Sequence, residues 1–542
     1  EKIYKLYLDS CNHMEDNTII SRNLYPPRVN DMSGIINMIH AYGWEESEFP
    51  LEWTYSFNNH LDCITVMSNF VKKILIDNGV SIPIRVCHLG VDHLKQSQIS
   101  NIYSLKARKY KFLHISSCFP RKGINCLLKA YEQAFTIDDD VSLVIKTFPN
   151  PHNDVLEQID RLKANNENFP DVVIIEADLN RDQIRSLYSL CDSLIAPSHG
   201  EGFGLPIAEA MLMKLPVIAT SWGGQSDFCN FQNTWQIDYK FAYAKTHFGL
   251  SSSVWAEPSI EHCSQLMREV FSLDTKTLNL KTRNAYNTII NSKFTWDSVA
   301  KVNLECVKSL RNYNKHLIPR IGWVTPWNTK CGIASYSEHL INSIEDNIIV
   351  LAPNDEKLLG NDSSQVRRCW SISQGSLQSL YKQIIQEKLS IVVFQFNYGF
   401  FDFSELSNLI NKLIKEKIKI IIFLHSTIDN KLMPTRSLKL ISDCLSKCDR
   451  LLVHTPADMN RLKALGLVDN VTLFAHGILD YKSISEYKNR PGIQFSKDTK
   501  QIHLSTFGFC LPNKGFPQLI KSIPIIKEYG YEVKLDLLTS IY

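Results

Sequence analysis

The sequence lacks several features that would place it in a specialised class of protein. Its longest apolar runs, such as 418–424, are far shorter than the roughly 20 residues of a membrane-spanning helix. None of its 14 cysteines forms a CxxC pair of the kind that zinc and redox sites favour, which indicates reduced core cysteines. The formal net charge is only +3, so a large basic field for nucleic acid is absent. These absences favour a cytoplasmic protein that neither spans a membrane nor binds nucleic acid.

The composition is that of an ordinary folded protein with several domains. Of the 542 residues, 44% are hydrophobic and 21% are charged, so extensive disorder is not expected. At about 150 residues per domain, this length indicates three or four domains. The first residues lack an initiator Met and an apolar signal region, and the last ones resemble part of a strand. We therefore expect a chain that is cut at both ends.

Short strand-like runs alternate with helical patterns, as in the βαβ units that build a parallel sheet. Three runs are predicted to be buried strands: 141–148, 171–177 and 192–198. Three segments with apolar residues at i, i+3 and i+4 are predicted to be helices: 124–135, 181–191 and 205–213. The predicted fold class is therefore α/β, with two or more doubly wound, Rossmann-like domains.

An internal repeat divides the chain into two repeat units in tandem. Residues 64–92 resemble residues 451–480 in their order of strand, small polar residue, basic helix, strand and glycine turn. Features outside these segments recur in the same order: His40 with His425, and 116–123 with 508–515. Because all these features keep their order, chance similarity is a poor explanation.

A glycine-rich turn lies within 198–228, between a predicted strand and a helix with Pro206 in its first turn. Such a turn exposes backbone N–H groups at the positive end of a helix, which suits a diphosphate or sugar hydroxyls. Glu201 lies in the turn and Glu209 inside the helix, and carboxylates accept hydrogen bonds from vicinal diols. Taken alone, a GxGxG turn is also typical of an ordinary loop with a solvated glutamate nearby.

The segment resembles the group 1, or family 4, retaining glycosyltransferases of the GT-B fold. The resemblance is carried by an E-x7-E signature and by two flanking motifs: Glu201-Gly202-Phe203-Gly204 with Glu209, Arg121-Lys122-Gly123, and Gly223-Gly224. It implies a GT-B architecture of paired Rossmann-like domains, with a nucleotide-sugar in the cleft and retention of the anomeric configuration. The segments 24–29, 44–47 and 116–123 look most like bacterial enzymes of O-antigen or capsular polysaccharide synthesis, which often use mannose donors.

The resemblance also implies a role for each matched residue. Glu209 would hold the donor ribose, and Glu201 would hold sugar hydroxyls beside the reacting carbon. Lys122 would neutralise the diphosphate leaving group. Arg121 would supply the charge of a family Arg whose place is taken by Ser117. The remaining residues of the predicted donor site are Gly202, Phe203, Gly204, Leu205, Gly223 and Gly224.

His40 is the second predicted catalytic residue beside Glu201, because it matches a family histidine that lines the reaction centre. The alternative is a histidine that is simply satisfied within its loop. The segments 22–31 and 44–53 look like loops on the acceptor side. Their aromatic residues are expected either to stack on sugar rings or, for Trp44 and Trp53, to pack at the edge of a core.

The second repeat unit has tentative counterparts of the predicted site in Gly332, His425 and Lys514. Phe509 stands where the family Arg would be, and the glutamate pair of this unit would lie beyond Tyr542, so its activity is left open. The predicted domains are a partial acceptor-side domain (1–92), a donor-binding domain (93–310), a linker (311–317), a second acceptor-side domain (318–490) and the truncated start of a second donor-binding domain (491–542).

No metal or other cofactor is expected, because GT-B enzymes bind the diphosphate through protein groups. The acidic run 138–140 indicates either a divalent-ion site or, between a helix and a strand, a solvated turn. The expected partners are a nucleotide-sugar, with GDP-mannose favoured and a UDP-sugar as the alternative, and a polysaccharide or lipid-linked acceptor. The basic segment 411–420 is typical either of peripheral contact with the inner membrane or of a solvated helix face.

The expected activity is therefore that of a hexosyltransferase. The main rival is a catalytically degenerate module that binds nucleotide-sugar or acts as a scaffold, which would fit the absence of the family Arg at Ser117 and Phe509. A nucleotide-sugar epimerase or an oxidoreductase would need GxGxxG directly after its first strand, and neither repeat unit has it. Hydrolysis of a donor separates the first two possibilities.

Overall fold

The computed structural model of the chain describes residues 18–95, 105–245, 248–292, 294–310, 319–344, 347–372, 375–429, 436–477, 501–509 and 515–540, together with Lys5. Its contacts divide the chain into a larger unit, Glu1–Ala475, and a smaller one, His476–Tyr542. The predicted linker 311–317 and the predicted phosphate-site residue Lys514 lie outside the described residues.

The first sheet of the larger unit has four parallel strands in the order β1-β2-β3-β4. Its strands are β1 (Ile19–Arg22), β2 (Ile36–Tyr42), β3 (Cys63–Val66) and β4 (Ile84–Val86), with helices α1 (Leu51–His60) and α2 (Asn69–Asp77). Helix α2 is capped by Ser68, whose Oγ accepts a hydrogen bond from Val71 N. Val71, Ile74 and Leu75 recur at helical spacing and are buried, so this face of α2 packs inward.

The second sheet has six parallel strands in the order β10-β9-β8-β5-β6-β7. Its strands are β5 (Tyr110–Ile115), β6 (Val141–Lys146), β7 (Asp171–Ile175), β8 (Ser193–Ala196), β9 (Val217–Thr220) and β10 (Trp235–Ile237), and its helices are α3 (Ile124–Ala134), α4 (Val155–Asn165), α5 (Arg181–Leu190) and α6 (Leu205–Leu212). The strands and helices predicted between 124 and 213 are confirmed to within a residue or two. The strand order reverses between β5 and β8, and such a switch point opens a crevice at the carboxyl ends of the strands.

An antiparallel hairpin and three helices follow the second sheet. They are β11 (Tyr239–Tyr243), β12 (Val254–Pro258), α7 (Ile260–Ser272), α8 (Thr275–Asn291) and α9 (Trp296–Ser309). Helix α9 returns to the first sheet, where Cys306 packs with Met38 and Cys63. Asn303 accepts a hydrogen bond of 2.5 Å from the Thr65 hydroxyl. The returning helix therefore connects the domain of the second sheet to the first.

The third sheet has seven parallel strands in the order β15-β14-β13-β16-β17-β18-β19. Its strands are β13 (Ile321–Val324), β14 (Ile348–Pro353), β15 (Val366–Trp370), β16 (Ile391–Phe396), β17 (Lys419–Leu424), β18 (Arg450–Val453) and β19 (Val471–Leu473). Its helices are α10 (Gly332–Ile341), α11 (Gln378–Gln386), α12 (Phe403–Lys415), α13 (Ser442–Ser446) and α14 (Pro456–Lys463). The helix predicted to begin near Gly332 is confirmed. Doubly wound parallel sheets thus recur along the chain, and the predicted α/β class is confirmed.

The first and third sheets share two local features. In β1 and β2, Arg22 pairs with Ile39, the residue before His40. In β16 and β17, Phe396 pairs with Leu424, the residue before His425. Ser68 and Thr455 both cap the helix that follows the next strand. The two histidines therefore occupy the same place in two similar pairs of strands.

The smaller unit is a βαβ segment. Strands β20 (Gln501–Phe509) and β21 (Glu532–Ser540) pair in parallel, and α15 (Phe516–Glu528) connects them. Across the described residues of the whole chain, no helix combines the length and the apolar character needed to cross a membrane.

Candidate functional site

The glycine-rich turn lies at the carboxyl end of β8, beside the switch point of the second sheet. Gly204 stands at the N-cap of α6 with a φ of 87°, a left-handed conformation that glycine adopts without strain. Pro206 lies in the first helical turn, and nearly every residue of α6 is buried, including Glu209. The predicted order of strand, glycine turn and helix is therefore what the structure has.

Glu201 and Lys122 form a buried ion pair in this turn. The Lys122 Nζ lies 2.6 and 2.8 Å from the two carboxylate oxygens of Glu201, and the Ser198 hydroxyl donates to one of them at 2.7 Å. Burial alone would raise the pKa of Glu201, but the charges of Lys122 and Arg121, with these hydrogen bonds, lower it overall. Burial lowers the pKa of Lys122, and its attraction to Glu201 opposes that change. The pair is therefore held as carboxylate and ammonium by mutual attraction.

Arg121 connects the second sheet with the loop that follows β2. Its Nη2 lies 3.1 Å from Glu45 Oε1, and its Nη1 donates to the Gly200 carbonyl at 3.4 Å. Arg121 and Lys122 belong to one short 3-10 turn, Pro120–Lys122, directly before α3. Two positive charges thus stand side by side at the start of a helix, where the helix dipole also favours an anion.

Glu209 has a separate set of partners. Its Oε2 accepts a hydrogen bond of 2.8 Å from the Tyr188 hydroxyl, and its Oε1 lies 3.0 Å from His93 Nε2. Burial, with the Glu209 charge beside it, raises the pKa of Tyr188, which therefore stays a neutral donor. The two carboxylates of the E-x7-E signature thus have different partners: Glu201 pairs with a lysine, and Glu209 contacts a tyrosine and a histidine.

Glycine is required at two places where backbones approach closely. A Cβ at Gly224 would lie 2.1 Å from the Gly202 carbonyl oxygen, and one at Gly200 would lie 2.3 Å from the Glu45 carbonyl oxygen. The Gly224 N–H donates to the Glu201 carbonyl at 2.6 Å. The pair Gly223-Gly224 therefore packs against the backbone of the turn and helps to hold it in place.

The domain of the first sheet packs directly against the glycine turn. The Ser68 hydroxyl donates to the Gly202 carbonyl at 2.6 Å, and Asn69 N donates to Asp227 Oδ2 at 2.8 Å. The loop after β2 pairs with β12, since Ser47 N donates to the Val254 carbonyl and Val254 N donates to the Ser47 hydroxyl. The site is thus built by both domains.

Of the predicted site residues, the structure brings together a compact group at the glycine turn. The group comprises Arg121, Lys122, Glu201, Gly202, Phe203, Gly204, Leu205, Glu209, Gly223 and Gly224. Phe203 is buried against Phe228 and Phe294. His40 lies on β2, where its Nδ1 is 2.8 Å from the Ser21 hydroxyl and burial lowers its pKa.

Four residues of the site were not predicted: Glu45, Ser68 as a contact of the glycine turn, His93 and Tyr188. Glu45 lies in a loop that the sequence places on the acceptor side, and its ion pair with Arg121 forms between the domains of the first and second sheets. Tyr188 follows the apolar pattern of α5, so nothing in the sequence marks its hydroxyl as a partner of Glu209. Between the two alternatives for Trp44, the structure shows core packing, because its ring is buried against Phe49 and Trp53.

In the third sheet, Gly332 begins α10 and His425 follows β17. His425 Nε2 lies 2.7 Å from Gln395 Oε1, and its ring packs edge-on against Tyr336. The acidic run 138–140 forms a turn in which Asp139 accepts a hydrogen bond from Thr136 N and pairs with Arg268.

Comparison with known proteins gives one family match, at residues 95–234, to the model described as "Glycosyl transferases group 1". The curated MMP alpha-(1->4)-mannosyltransferase of Mycolicibacterium hassiacum is 28% identical over 163 residues, which are 30% of this chain and 37% of that protein. Uncharacterized glycosyltransferase 335 of Sulfolobus islandicus rod-shaped virus 1 is 27% identical over 139 residues, 26% of this chain and 39% of that protein. The matches thus span well under half of these curated relatives.

Among solved structures, a glycosyltransferase from Rickettsia africae aligns with a TM-score of 0.43 and 20% identity, over 58% of this chain and 81% of that one. Anabaena HepE in complex with UDP and glucose aligns with a TM-score of 0.40 and 16% identity, over 51% of this chain and 72% of that one. Residues 95–234, which contain Lys122, Glu201 and Glu209, therefore match the group 1 glycosyltransferases, a family of transferases.

Proposed function

We propose that the chain is a retaining glycosyltransferase that transfers a hexose from a nucleotide-sugar to a growing polysaccharide or lipid-linked glycan. The observation that carries this proposal is the arrangement of Glu201, Glu209 and Lys122 around one glycine turn, inside the segment that matches the family. Each of the three has a binding role that its contacts support.

Lys122 and Arg121 form the proposed site for the donor diphosphate. The Lys122 ammonium is held by Glu201 and the Arg121 guanidinium by Glu45, so both cations already have anionic partners. A diphosphate carries more charge than one carboxylate and competes for the same donors. When it binds Lys122, Glu201 is released to accept hydrogen bonds from the donor sugar. The acceptor hydroxyl oxygen then bonds to the anomeric carbon of the sugar as the bond from that carbon to the diphosphate breaks, and an oxygen of the departing diphosphate takes the hydroxyl proton.

Glu209 is the proposed partner of the donor ribose. Its carboxylate is buried in α6, where it accepts a hydrogen bond from the Tyr188 hydroxyl and lies 3.0 Å from His93 Nε2. The 2′- and 3′-hydroxyls of a ribose are hydrogen-bond donors like the Tyr188 hydroxyl, so they can take the place of the His93 contact and keep the carboxylate hydrogen-bonded.

The proposed donor is GDP-mannose, with a UDP-sugar as the alternative. The mannose of the first choice is supported by the name of the relative from Mycolicibacterium hassiacum, a mannosyltransferase. The similar placing of His40 and His425 supports a tandem arrangement in which the third sheet belongs to a second acceptor-side domain. Within it, Gly332 and His425 are the proposed counterparts of the first site.

The test measures hydrolysis and transfer with GDP-mannose, UDP-glucose and UDP-N-acetylglucosamine, using the full chain and the variants Glu201→Ala and Glu209→Ala. Glu157→Ala, an exposed glutamate on α4, is the matched control. We expect one donor to be consumed, with turnover lost in both site variants and retained in the control. Nucleotide binding without turnover of any donor would show the degenerate module instead.

A further inference from the structure

The third sheet packs against the domains that form the proposed donor site, through the amino ends of its strands. The contact with α2 is a partly buried cluster of charges: Arg450 Nε lies 2.5 Å from Asp77 Oδ1, and the Thr472 hydroxyl donates to Asp77 Oδ2 at 2.7 Å. Lys73 donates to the same Asp77 oxygen at 2.9 Å and to the Thr472 hydroxyl at 2.8 Å. We call these four residues, Lys73, Asp77, Arg450 and Thr472, the charge cluster.

A second contact joins α14 to the hairpin that follows the second sheet. The Asn460 side chain accepts from Phe241 N at 2.8 Å and donates to the Phe241 carbonyl at 2.9 Å, as a neighbouring strand would. The Lys463 ammonium lies 2.5 Å from Asp238 Oδ1 and 4.5 Å from the centre of the Tyr239 ring. Specific polar groups therefore fix the register of this contact.

Helix α2 leads from the charge cluster to the glycine turn. Asp77 is its last residue, and its N-cap Ser68 donates to the Gly202 carbonyl at the other end. The next residue, Asn69, donates through its backbone to Asp227, at the end of the turn that Gly224 begins. A helix of nine residues thus touches the third sheet at one end and the proposed donor site at the other.

A group of packed aromatic rings lies beside α2. Trp222 belongs to the apolar core that includes the third sheet, and its ring packs edge-on against Phe70 and Phe241. It directly precedes Gly223-Gly224, the pair that supports the Glu201 backbone. A cavity of ≈ 820 Å³ lies between α2, this segment and the amino ends of β16, β17 and β18. Because the interface is not filled throughout, the polar contacts carry much of its specificity.

We propose that Asp77 and Arg450 are positioning residues: through α2, the third sheet holds the glycine turn in the geometry that binds the donor. The inference rests on the proposed function of the first site. Neither residue lies at Glu201, so any effect on the reaction passes through the position of the turn. Substitutions along such a connection typically change the coupling by about two- to thirtyfold.

The experiment uses the full chain and three variants. Arg450→Ala removes the charge from the cluster, and Arg450→Lys keeps it. Arg320→Ala is the matched control, because Arg320 stands at the amino end of the same sheet but pairs with Glu387 of its own domain. The readouts are kcat and KM for hydrolysis of GDP-mannose or UDP-glucose, and hydrogen exchange of 198–204 and 222–228 in the free protein.

We expect Arg450→Ala to raise the donor KM about three- to tenfold with a smaller change in kcat, and to speed exchange in both segments. Arg450→Lys should restore most of both, and Arg320→Ala should match the wild type. If Arg450→Ala has a donor KM within twofold of wild type and unchanged hydrogen exchange, the positioning role is overturned but the proposed function is not. A wild-type chain that neither binds nor hydrolyses any donor would overturn the proposed function, and this inference with it.

Discussion

Removing the Lys122 ammonium tests the electrostatic account of the glycine turn most directly. In Lys122→Met, a side chain of similar length keeps the packing but leaves Glu201 without its closest cation. The two side chains are 13% and 11% exposed, so solvent screens the loss only weakly. Breaking a buried ion pair from one side typically destabilises a protein by about 3 to 5 kcal/mol. Since Ser198 and Arg121 still face Glu201, we expect the lower end, about 3 kcal/mol at pH 7.

The direction in which stability changes with pH follows from the ionisation of Glu201. In the wild type its pKa is lowered, so its contribution to stability is present above the unfolded pKa of 4.5 and is lost as the pH falls further. Without Lys122, burial dominates and raises that pKa, so the ionised carboxylate destabilises the variant at neutral pH. The penalty disappears once Glu201 is protonated. The difference in stability between wild type and variant should therefore shrink as the pH falls from 7 towards 4.

Urea denaturation followed by tryptophan fluorescence at pH 7 and pH 4.5 measures both effects. With slopes of about 1 to 3 kcal/mol per M urea, the expected loss moves the midpoint by about 1 to 3 M. Lys111→Met is the control, because its pair with Asp192 is more exposed and should be worth less than about 1 kcal/mol. A loss below about 1 kcal/mol for Lys122→Met, equal at both pH values, would refute the reasoning.

Three further outcomes are expected. Burial lowers the pKa of His114 and His199 to about 4, so each should remove up to about 3 kcal/mol of stability as the pH falls from 6.5 to 4. In urea titrations, His114→Gln should make the stability fall less steeply over this pH range. An equally steep fall would contradict the low pKa of His114. Gly224→Ala should abolish nucleotide binding in calorimetry, because its Cβ would meet the Gly202 carbonyl oxygen. Gly360→Ala should retain binding, since the nearest atom to its Cβ would be 3.9 Å away. Equal binding by the two variants would contradict the need for glycine at position 224. Tyr188→Phe should change the donor KM severalfold with little effect on kcat, and an unchanged KM would argue against the ribose site.

Local patterns were sufficient to predict the elements that build the site. The turn between β8 and α6 could be placed because glycine, proline and the change from strand to helix spacing are encoded by neighbouring residues. The same holds for α3, whose start follows Lys122 and Gly123. Such signals fix where Glu201 and Glu209 stand along the chain. They say nothing about which side chains face them.

The partners of the site depend on contacts between distant parts of the chain. Ser68 and Gly202 are 134 residues apart, and Asp77 and Arg450 are 373 apart. No periodicity or turn chemistry connects such positions, because their meeting is decided by how whole domains pack. Ser68 is a member of the repeat, yet its bond to the Gly202 carbonyl depends on how the first domain packs against the second. The charge cluster could not be predicted for the same reason.

The two glutamates of the site illustrate how packing assigns different chemistry to one motif. Glu201 is neutralised by a cation, so an anionic ligand that attracts Lys122 also changes what Glu201 can bind. Glu209 contacts Tyr188 and His93, so the hydroxyls of a ligand can exchange with these partners without involving Lys122. Binding of the diphosphate is therefore linked to binding of the donor sugar at Glu201, but not to binding of the ribose at Glu209. It follows that added salt, which competes for Lys122, should weaken donor binding through the diphosphate far more than through the ribose.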